Sequence, residues 1–202
     1  MLDLARNGEP GAYQRTRNFQ FYDPLKQQGF GSMMLHMGVR PDDEDSDSLR
    51  HVFEMIAELE VEFSDSNRIT LSKDPQALDA FGDPFPDLSF SFSQRDLALK
   101  EKAREIVNGI YGKVAAKQIE ERPIAGWGHH HMGTVRMGTD PATSVVDANL
   151  LVHDLKNLYT VTSGVHVTSG AVNPTLTIVA LTHRLADHLL TRLNSDLPPA
   201  SA

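Results

Sequence analysis

The 202-residue sequence contains no cysteine, which excludes disulfides, thiolate zinc ligands and cysteine nucleophiles. It also has no apolar run close to the roughly 20 residues that a membrane-spanning helix needs. The N-terminal stretch MLDLARNGEPGAYQR lacks the apolar core of a signal peptide. We therefore expect a cytoplasmic protein with no membrane contact, an expectation that a targeting signal on a separate N-terminal half would change.

Positive charge is also scarce, because 19 Lys and Arg stand against 27 Asp and Glu and the formal net charge is −8. This balance argues against a general nucleic-acid binder and against a polybasic protein of membrane surfaces. The densest charge run, PDDEDSD at residues 41–47, is typical of a solvated loop. With 40% hydrophobic and 23% charged residues, the rest of the composition fits a globular protein.

Several stretches have the hydrophobic pattern of β-strands. Gly29–Val39 is apolar enough for a buried strand. The strict alternation in Glu58–Phe63, the turn residues SDSN and the following RITLS predict a β-hairpin. Alternation in Leu88–Phe92 predicts a further strand, and the apolar Leu158–Thr162 predicts a short buried one.

Two stretches change to helical spacing. Ser93 and Asp96 have the spacing of a capping box, and the apolar residues after them predict a helix over about residues 96–118. Asn173 is a suitable N-cap and Pro174 a suitable first residue for a second helix, which the pattern extends to about residue 193. Together the strands and helices predict an α+β fold.

The phrase AGWGHHHMGTVRMGTDP, residues 125–141, places three histidines among glycines. In an extended segment His129 and His131 would share one side and His130 would take the other. Adjacent histidines therefore do not easily converge on one metal ion, and neither cysteine ligands nor an HExxH pattern are present. Two interpretations stay open here: a general base, since imidazole titrates near neutral pH, and a polar loop with buried, satisfied histidines.

A second phrase, TSGAVNPTLTIVALTHRLADHLL, begins the last helix at Asn173 and Pro174. The free N–H groups and the positive dipole end of a helix N-terminus favour an anion. The side chain of Asn173 offers a donor and an acceptor at the same place. Asn-Pro is also a common way to begin any helix, so this phrase alone does not decide between a ligand site and an ordinary helix start.

Together the two phrases resemble the C-terminal part of the glucose-methanol-choline (GMC) flavin oxidoreductases. The resemblance is carried by HHMGTVRMGTDPATSVVDANLLVHDLKNLY, residues 130–159, and by TSGAVNPTLTIVALTHRLADHL. It is continuous from about Trp127 to about Leu190. Upstream, NRITLSKDPQALDAFGDPFPDLSFSF and the helix after it resemble the substrate-domain sheet of the family.

The resemblance implies an FAD-dependent oxidoreductase that oxidises the CH–OH group of an alcohol or sugar. It assigns His130, three positions before Gly133, as the catalytic base, and Asn173 as the second catalytic residue, which holds the substrate oxygen. Proton removal by His130 would accompany hydride transfer to flavin N5. A helix N-terminus would stabilise negative charge on the reduced flavin. The implied cofactor-binding residues are His129, Gly164, Val165, Asn173, Pro174 and Thr175.

The residues near the predicted pair are expected to have structural rather than catalytic roles. His131 is expected to be a packing residue, and Arg136 and Asp140 are expected to fix the shape of the loop. The phrase VTSGV departs from the family pattern, with Thr162 where an aspartate is frequent and Gly164 where a serine is usual. Because the sugar-oxidising branches of the family vary here, the departure favours a sugar-like substrate.

A larger departure concerns the dinucleotide-binding βαβ unit with GxGxxG, which has no counterpart in this sequence. The resulting prediction is an α+β fold: a substrate-domain sheet with a packed helix, plus the C-terminal strand and helix of an FAD-binding α/β domain. We expect residues 1–121 to form a partial substrate-binding domain. Residues 122–202 are expected to be the C-terminal part of the FAD-binding domain, with the catalytic pair.

Activity would then need a partner chain that supplies the dinucleotide-binding half. Two alternatives stay open. One is a non-catalytic remnant or interaction protein of the same fold that does not bind flavin. The other is a metal-dependent enzyme that uses the histidines, which the alternation of their side chains disfavours.

Overall fold

The computed structural model describes residues 14–41, 51–114, 119, 121 and 130–195. These residues divide into two compact units. The first takes its described residues from Met1–Val61, Ser93–Glu120 and Gly170–Val172. The second takes its described residues from Glu62–Phe92, Glu121–Ser169 and Asn173–Ala202. The chain therefore passes between the units several times, and the predicted boundary between residues 121 and 122 stays a prediction.

Within the described residues, the first unit contains a three-stranded antiparallel sheet of order β1–β2–β3. The strands are β1 at Gln14–Asn18, β2 at Met33–Pro41 and β3 at His51–Leu59. A short helix, α1 at Tyr22–Gln27, lies between β1 and β2. The buried strand predicted at Gly29–Val39 is confirmed, because β2 is the central strand and residues 31–36 are all buried.

Alternation along β2 gives the sheet two different faces. One face packs against α2, Gln94–Lys113, in a buried hydrophobic cluster. The cluster consists of Leu25, Met33, Leu35, Leu99 and Ala103. Because successive side chains of a strand point to opposite faces, Ser32, Met34 and His36 lie on the other side of the sheet, where they are also buried.

The helix predicted after Ser93 is confirmed as α2, and so is its capping box. Ser93 Oγ accepts from the Asp96 N–H at 3.2 Å, and Asp96 Oδ2 accepts from the Ser93 N–H at 2.8 Å. The helix ends at Lys113 rather than near residue 118. Glycines at 109 and 112 lower the helix propensity of its last turns, and residues 115–118 lie outside the described part.

The predicted hairpin between Glu58–Phe63 and RITLS is wrong. β3 ends at Leu59, and the residues from 60 to 64 form no strand. The RITLS segment does form a strand, β4 at Arg68–Leu71, but β4 pairs antiparallel with β5 at Pro86–Ser89. Alternation thus identified strands without identifying which strand pairs with which.

Asn67 extends the observed pairing of β4 with β5. Its Nδ2 donates to the Ser91 carbonyl at 3.0 Å, and its Oδ1 accepts from the Ser91 N–H at 2.8 Å. These two bonds continue the pairing beyond the end of β5. The predicted strand Leu88–Phe92 is therefore right only for its first two residues, and Phe90 and Phe92 beyond it are exposed and contact each other edge-to-face at 5.0 Å.

Besides β4, β5, a short 3-10 helix at Ser163–Val165 and a long helix at Thr175–Ser195, the described residues of the second unit form loops around a small core. Its buried residues are Val146, Leu150, Val165 and Leu185. The strand predicted at Leu158–Thr162 is wrong, because Tyr159 makes only an isolated bridge to Leu151 and Leu158 is exposed. Residues 150–152 do run antiparallel beside this segment, but the pairing is limited to two backbone hydrogen bonds around that single bridge, from the Val152 N–H to the Leu158 carbonyl at 2.9 Å and from the Thr160 N–H to the Leu150 carbonyl at 3.1 Å, which is too short for a strand.

The last predicted helix is confirmed as α3, Thr175–Ser195. The Ile178 N–H donates to the Pro174 carbonyl at 3.0 Å, so Pro174 takes the N-cap position. The predicted N-cap role of Asn173 is wrong, because its side-chain amide contacts His130 instead. In the described part of the chain, neither α3 nor any other helix combines the length and apolarity needed to cross a bilayer.

Candidate active site

The side chains of His130 and Asn173 meet, although they are 43 residues apart in the sequence. Both belong to the second unit, and Asn173 Nδ2 lies 3.1 Å from His130 Nε2. Because an amide nitrogen can only donate, Nε2 is the acceptor and the imidazole proton is on Nδ1. The structure thus brings together the two residues predicted as catalytic, with the basic nitrogen of the imidazole at their meeting point.

The loop that follows His130 is held by backbone contacts. Ser163 Oγ donates to the carbonyl of His131 at 2.6 Å. The side chain of His131 is exposed, so its predicted packing role is wrong. Gly133 has a φ of +81°, a conformation that glycine adopts at little cost. His129, predicted at the flavin edge, lies outside the described residues.

Gly164 lies where the loop after His130 packs against the VTSGV segment. It is buried, and a Cβ at this position would lie 2.8 Å from both Thr134 Oγ1 and Val135 Cγ2. Contacts this short are not found in packed interiors. The serine that the family resemblance would place here does not fit, so the departure from the family pattern has a local packing reason.

The backbone of Gly164 and Val165 is already engaged within the chain. The Gly164 N–H donates to Thr162 Oγ1 at 2.9 Å, and the Val165 N–H donates to the Thr162 carbonyl at 3.3 Å. Their carbonyls accept from Val135 and Met137 at 3.0 and 2.9 Å. Thr162 therefore acts as a cap of the short 3-10 helix Ser163–Val165, and the cofactor-binding role of Gly164 and Val165 stays a prediction.

The N-terminus of α3 lies directly after Asn173. Pro174 is buried, Thr175 is exposed and Leu176 is 82% exposed. An α-helix leaves its first N–H groups without intrahelical acceptors and carries the positive end of its dipole there. The segment beside the histidine–asparagine pair can therefore receive a carbonyl or an anionic group.

Asn173 Oδ1 and His166 Nε2 are buried and have no hydrogen-bond partner among the described residues. Leaving a buried polar atom unpaired costs about 1–3 kcal/mol, so such atoms indicate where a ligand can complete the hydrogen bonding. Sequence analysis identified Asn173 and missed His166. The available signal was the position of His166 directly after VTSGV, among residues of the family resemblance.

Arg136 and Asp140 fix the shape of the following loop, as predicted. Arg136 Nε donates to the Thr143 carbonyl at 2.7 Å, and its guanidinium lies 4.2 Å from the centroid of the Phe63 ring. Asp140 Oδ1 accepts from the Ala142 N–H at 2.9 Å. Both charged side chains are thus occupied by loop contacts.

Ser144 and His153 form a further contact, which does not produce an activated nucleophile. Ser144 Oγ lies 2.8 Å from His153 Nε2 and donates to the Asp140 carbonyl at 2.6 Å. Because the hydroxyl proton points at that carbonyl, Nε2 must donate to Oγ and cannot act as its base. In the segments that the structure describes, no three His, Asp or Glu residues are grouped so as to hold a metal ion.

Comparison with known proteins identifies the family to which the sequence is related. Residues 63–182 match the sequence profile of the family described as GMC oxidoreductase. The chain is 34% identical to the fructose dehydrogenase large subunit of Gluconobacter japonicus, over 81% of this chain and 30% of that protein. It is 36% identical to a C-glycoside 3-oxidase of Microbacterium trichothecenolyticum, over 65% of this chain and 26% of that protein. It is 33% identical to a 2-methyl-1,2-propanediol dehydrogenase of Mycolicibacterium austroafricanum, over 64% of this chain and 24% of that protein.

The chain belongs to the GMC oxidoreductase family, which confirms the resemblance found in the sequence. It spans 30% or less of the length of these three relatives. The mixed α+β architecture, with small sheets and three helices in the described residues, is consistent with a C-terminal domain of this family.

Proposed function

We propose that this chain carries the catalytic pair of an FAD-dependent oxidoreductase that oxidises the CH–OH group of a sugar or alcohol. The observation that carries the proposal is the 3.1 Å contact between His130 Nε2 and Asn173 Nδ2. A base and an amide donor that converge on one point can bind the same hydroxyl oxygen. Membership of the GMC oxidoreductase family supports the reaction class.

His130 and Asn173 would act on the two sides of the substrate hydroxyl. The hydroxyl would replace their direct contact, giving its proton to His130 Nε2 while its oxygen accepts from Asn173 Nδ2. Proton removal by a positioned base contributes about 10²–10⁴-fold in rate. The amide donor stabilises the negative charge that develops on the oxygen. Bound flavin supplies the acceptor for the hydride that leaves the carbinol carbon.

The residues around the pair fit a flavin. Asn173 Oδ1 is buried and has no partner among the described residues, so it is suited to accept from a ring N–H. The N-terminus of α3, at Pro174 and Thr175, is suited to a carbonyl or anionic edge of the ring system. Asn173 would then contact both substrate and cofactor.

His129, Gly164 and Val165 complete the proposed cofactor site. The N–H groups of Gly164 and Val165 already donate to Thr162, and both residues are buried. We therefore assign these two a packing role beneath the flavin rather than hydrogen bonds to it. His129 directly precedes the proposed base and would line the edge of the ring.

A sugar is the proposed substrate class among CH–OH donors. Two of the relatives carry the names of a fructose dehydrogenase subunit and a C-glycoside oxidase. The third is named a dehydrogenase of 2-methyl-1,2-propanediol, an alcohol with two hydroxyls. Gly164, at a position that varies in the sugar-oxidising branches, favours the sugar.

A partner chain is proposed to supply the dinucleotide-binding half. The relatives are more than three times as long as the segment they share with this chain. α3 also exposes large apolar side chains along one side, and an exposed apolar patch of this kind supports an interface with a partner. They are Leu176, Val179, Leu190 and Leu193, with exposed fractions of 82, 46, 59 and 63%.

Anaerobic flavin reduction tests this function. The chain is mixed with FAD, a panel of sugars including fructose, and a candidate partner that carries a GxGxxG unit. We expect the flavin absorbance to bleach. His130→Ala should slow bleaching by about 10²–10⁴-fold, whereas His131→Ala, a change at the exposed neighbour, should leave it close to the wild-type rate. Bleaching at full rate in the His130→Ala variant would rule out His130 as the base.

The exposed apolar residues of α3 also favour one non-catalytic function, an interaction protein of the same fold that does not bind flavin. That protein would form a complex with the partner through the same surface. A complex that assembles but holds no flavin in any mixture would select this second function.

A further inference from the structure

A buried hydrogen-bond relay in the first unit ends two residues before Asn173. Ser32 and Glu60 face each other just beyond the paired ends of β2 and β3, where the Glu60 N–H donates to the Ser32 carbonyl at 3.0 Å. Glu60 Oε2 accepts from the Ser32 N–H at 3.0 Å and from Ser32 Oγ at 2.7 Å. Ser32 Oγ in turn accepts from the Ala171 N–H at 3.1 Å.

The carboxylate fixes the direction of the relay. A serine hydroxyl has one proton and two lone pairs. Because Ser32 gives its proton to Glu60, its lone pairs remain to accept from Ala171. The exposed fractions of Ser32, Glu60 and Ala171 are 0, 9 and 4%, so water competes little for these bonds. A fully satisfied buried network of this kind specifies one geometry.

Ser32 and Lys26 together keep Glu60 ionised, the form in which it accepts both hydrogen bonds from Ser32. Lys26 Nζ lies 3.4 Å from Glu60 Oε2. Burial raises the pKa of Glu60, but the hydrogen bonds from Ser32 and the charge of Lys26 outweigh burial and hold the pKa below its ordinary value. The carboxylate is therefore ionised at neutral pH and forms charge-assisted hydrogen bonds, which are stronger than neutral ones.

The segment that receives the relay is also closely packed. A Cβ at Gly170 would lie 2.7 Å from the Tyr22 hydroxyl oxygen. Tyr22 begins α1, and Gly170–Val172 belongs to the same unit as α1 and β2. The backbone before Asn173 is thus confined by Tyr22 at Gly170 and hydrogen-bonded to Ser32 at Ala171.

We propose that Glu60 and Ser32 are positioning residues for Asn173. Only two peptide units separate Ala171 from Asn173, at most about 7.6 Å between their Cα atoms. A shift of the Ala171 backbone therefore changes the backbone from which the Asn173 side chain extends. The inference rests on the proposed function, in which a displacement of about 1 Å can cost about 10²-fold in rate.

NMR spectroscopy of the full chain, without flavin or substrate, tests the relay. Ser32→Ala removes the acceptor of the Ala171 N–H. We expect hydrogen exchange of the Ala171 amide to accelerate by roughly tenfold or more, and the side-chain resonances of Asn173 and His130 to shift. Ser32→Thr keeps a hydroxyl and should return all three signals towards wild type. Ser66→Ala removes an exposed hydroxyl and should change none of them.

A second variant keeps the test decisive if Ser32→Ala does not fold by circular dichroism. Glu60→Gln keeps the shape of the side chain and removes its charge, so the same three signals should move in the same direction by a smaller amount. The proposal is overturned if Ala171 exchange accelerates in a folded variant while the Asn173 and His130 resonances stay unchanged. Unchanged Ala171 exchange overturns it as well.

Turnover in the reconstituted enzyme separates this proposal from the function on which it rests. If both are right, Ser32→Ala should lower kcat more than it raises KM, as expected when orientation of a catalytic group is lost. NMR signals that respond as expected, in a chain that never reduces flavin with any partner, would support the positioning role and contradict only the proposed function.

Discussion

The two long helices of the chain differ in where their apolar contacts lie. α2 buries Leu99 and Ala103 in the core of the first unit, and Leu97 is 41% exposed. α3 buries Leu185 in the core of the second unit, with Leu181 and Leu189 partly buried beside it. Unlike α2, it also leaves four large apolar side chains at least 46% exposed: Leu176, Val179, Leu190 and Leu193.

These exposed residues of α3 lie on one side of the helix. Leu176 and Leu190 are separated by fourteen positions, as are Val179 and Leu193, which is close to four turns of an α-helix. α3 therefore has a buried apolar stripe and an exposed one, a pattern typical of a helix enclosed on two sides. The comparison shows that α2 buries its apolar contacts in the first unit, whereas α3 has a second apolar stripe that stays exposed among the described residues.

Truncating one leucine in each helix should produce the largest difference in stability between α2 and α3. Leu99 is 1% exposed, so Leu99→Ala should lower the free energy of unfolding of the chain by about 2–5 kcal/mol. Leu176→Ala deletes the same atoms at a site that is 82% exposed and should change it by less than about 0.5 kcal/mol. Urea titration of both variants measures the two effects. Similar losses would mean that α3 already has its second partner inside the chain.

The N-termini of the two helices should also differ in their contribution to stability, by a smaller amount. Ser93→Ala removes the hydroxyl that caps α2 and should cost about 0.5–2 kcal/mol of the free energy of unfolding, while Ser93→Thr should keep most of it. Asn173→Ala removes no cap from α3. It loses the contact with His130 but also removes the unpaired buried Oδ1, so its net effect should be close to zero.

Thermal or urea unfolding of the three variants measures this difference. A loss in Asn173→Ala as large as that in Ser93→Ala would mean that Asn173 supports the helix start. It would then be a structural residue rather than one kept for a ligand.

Local patterns predicted α2, α3 and β2 because their signals lie within a few neighbouring residues. Ser93 and Asp96, for example, cap α2 through contacts three positions apart. The pairing of β4 with β5 could not be predicted, because it joins segments about 20 positions apart and alternation does not identify the partner of a strand.

Some residues of the candidate site could likewise be predicted from the sequence and others could not. The family resemblance predicted His130 and Asn173 as a pair, and their side chains do meet, while their catalytic roles stay predictions. Helix-start rules alone assigned Asn173 as an N-cap, because they cannot include a histidine 43 positions away. Ser32 and Glu60 carried no signal in the sequence, since their contact depends on the register of β2 against β3.

The smallest expected effect concerns the pH dependence of stability in the first unit. Glu60 lies at the end of the β2–β3 pairing, and its folded-state pKa is below the ordinary value of 4.5. A lowered pKa means that the unfolded chain binds the proton more tightly. The stabilisation is therefore fully present above about pH 4.5 and is lost as the pH falls through the folded-state pKa. Glu60→Gln should have a shallower loss of stability on acidification, measured by urea unfolding between neutral and acidic pH. Parallel curves for wild type and variant would show that Glu60 contributes nothing to the pH dependence and would contradict a lowered folded-state pKa.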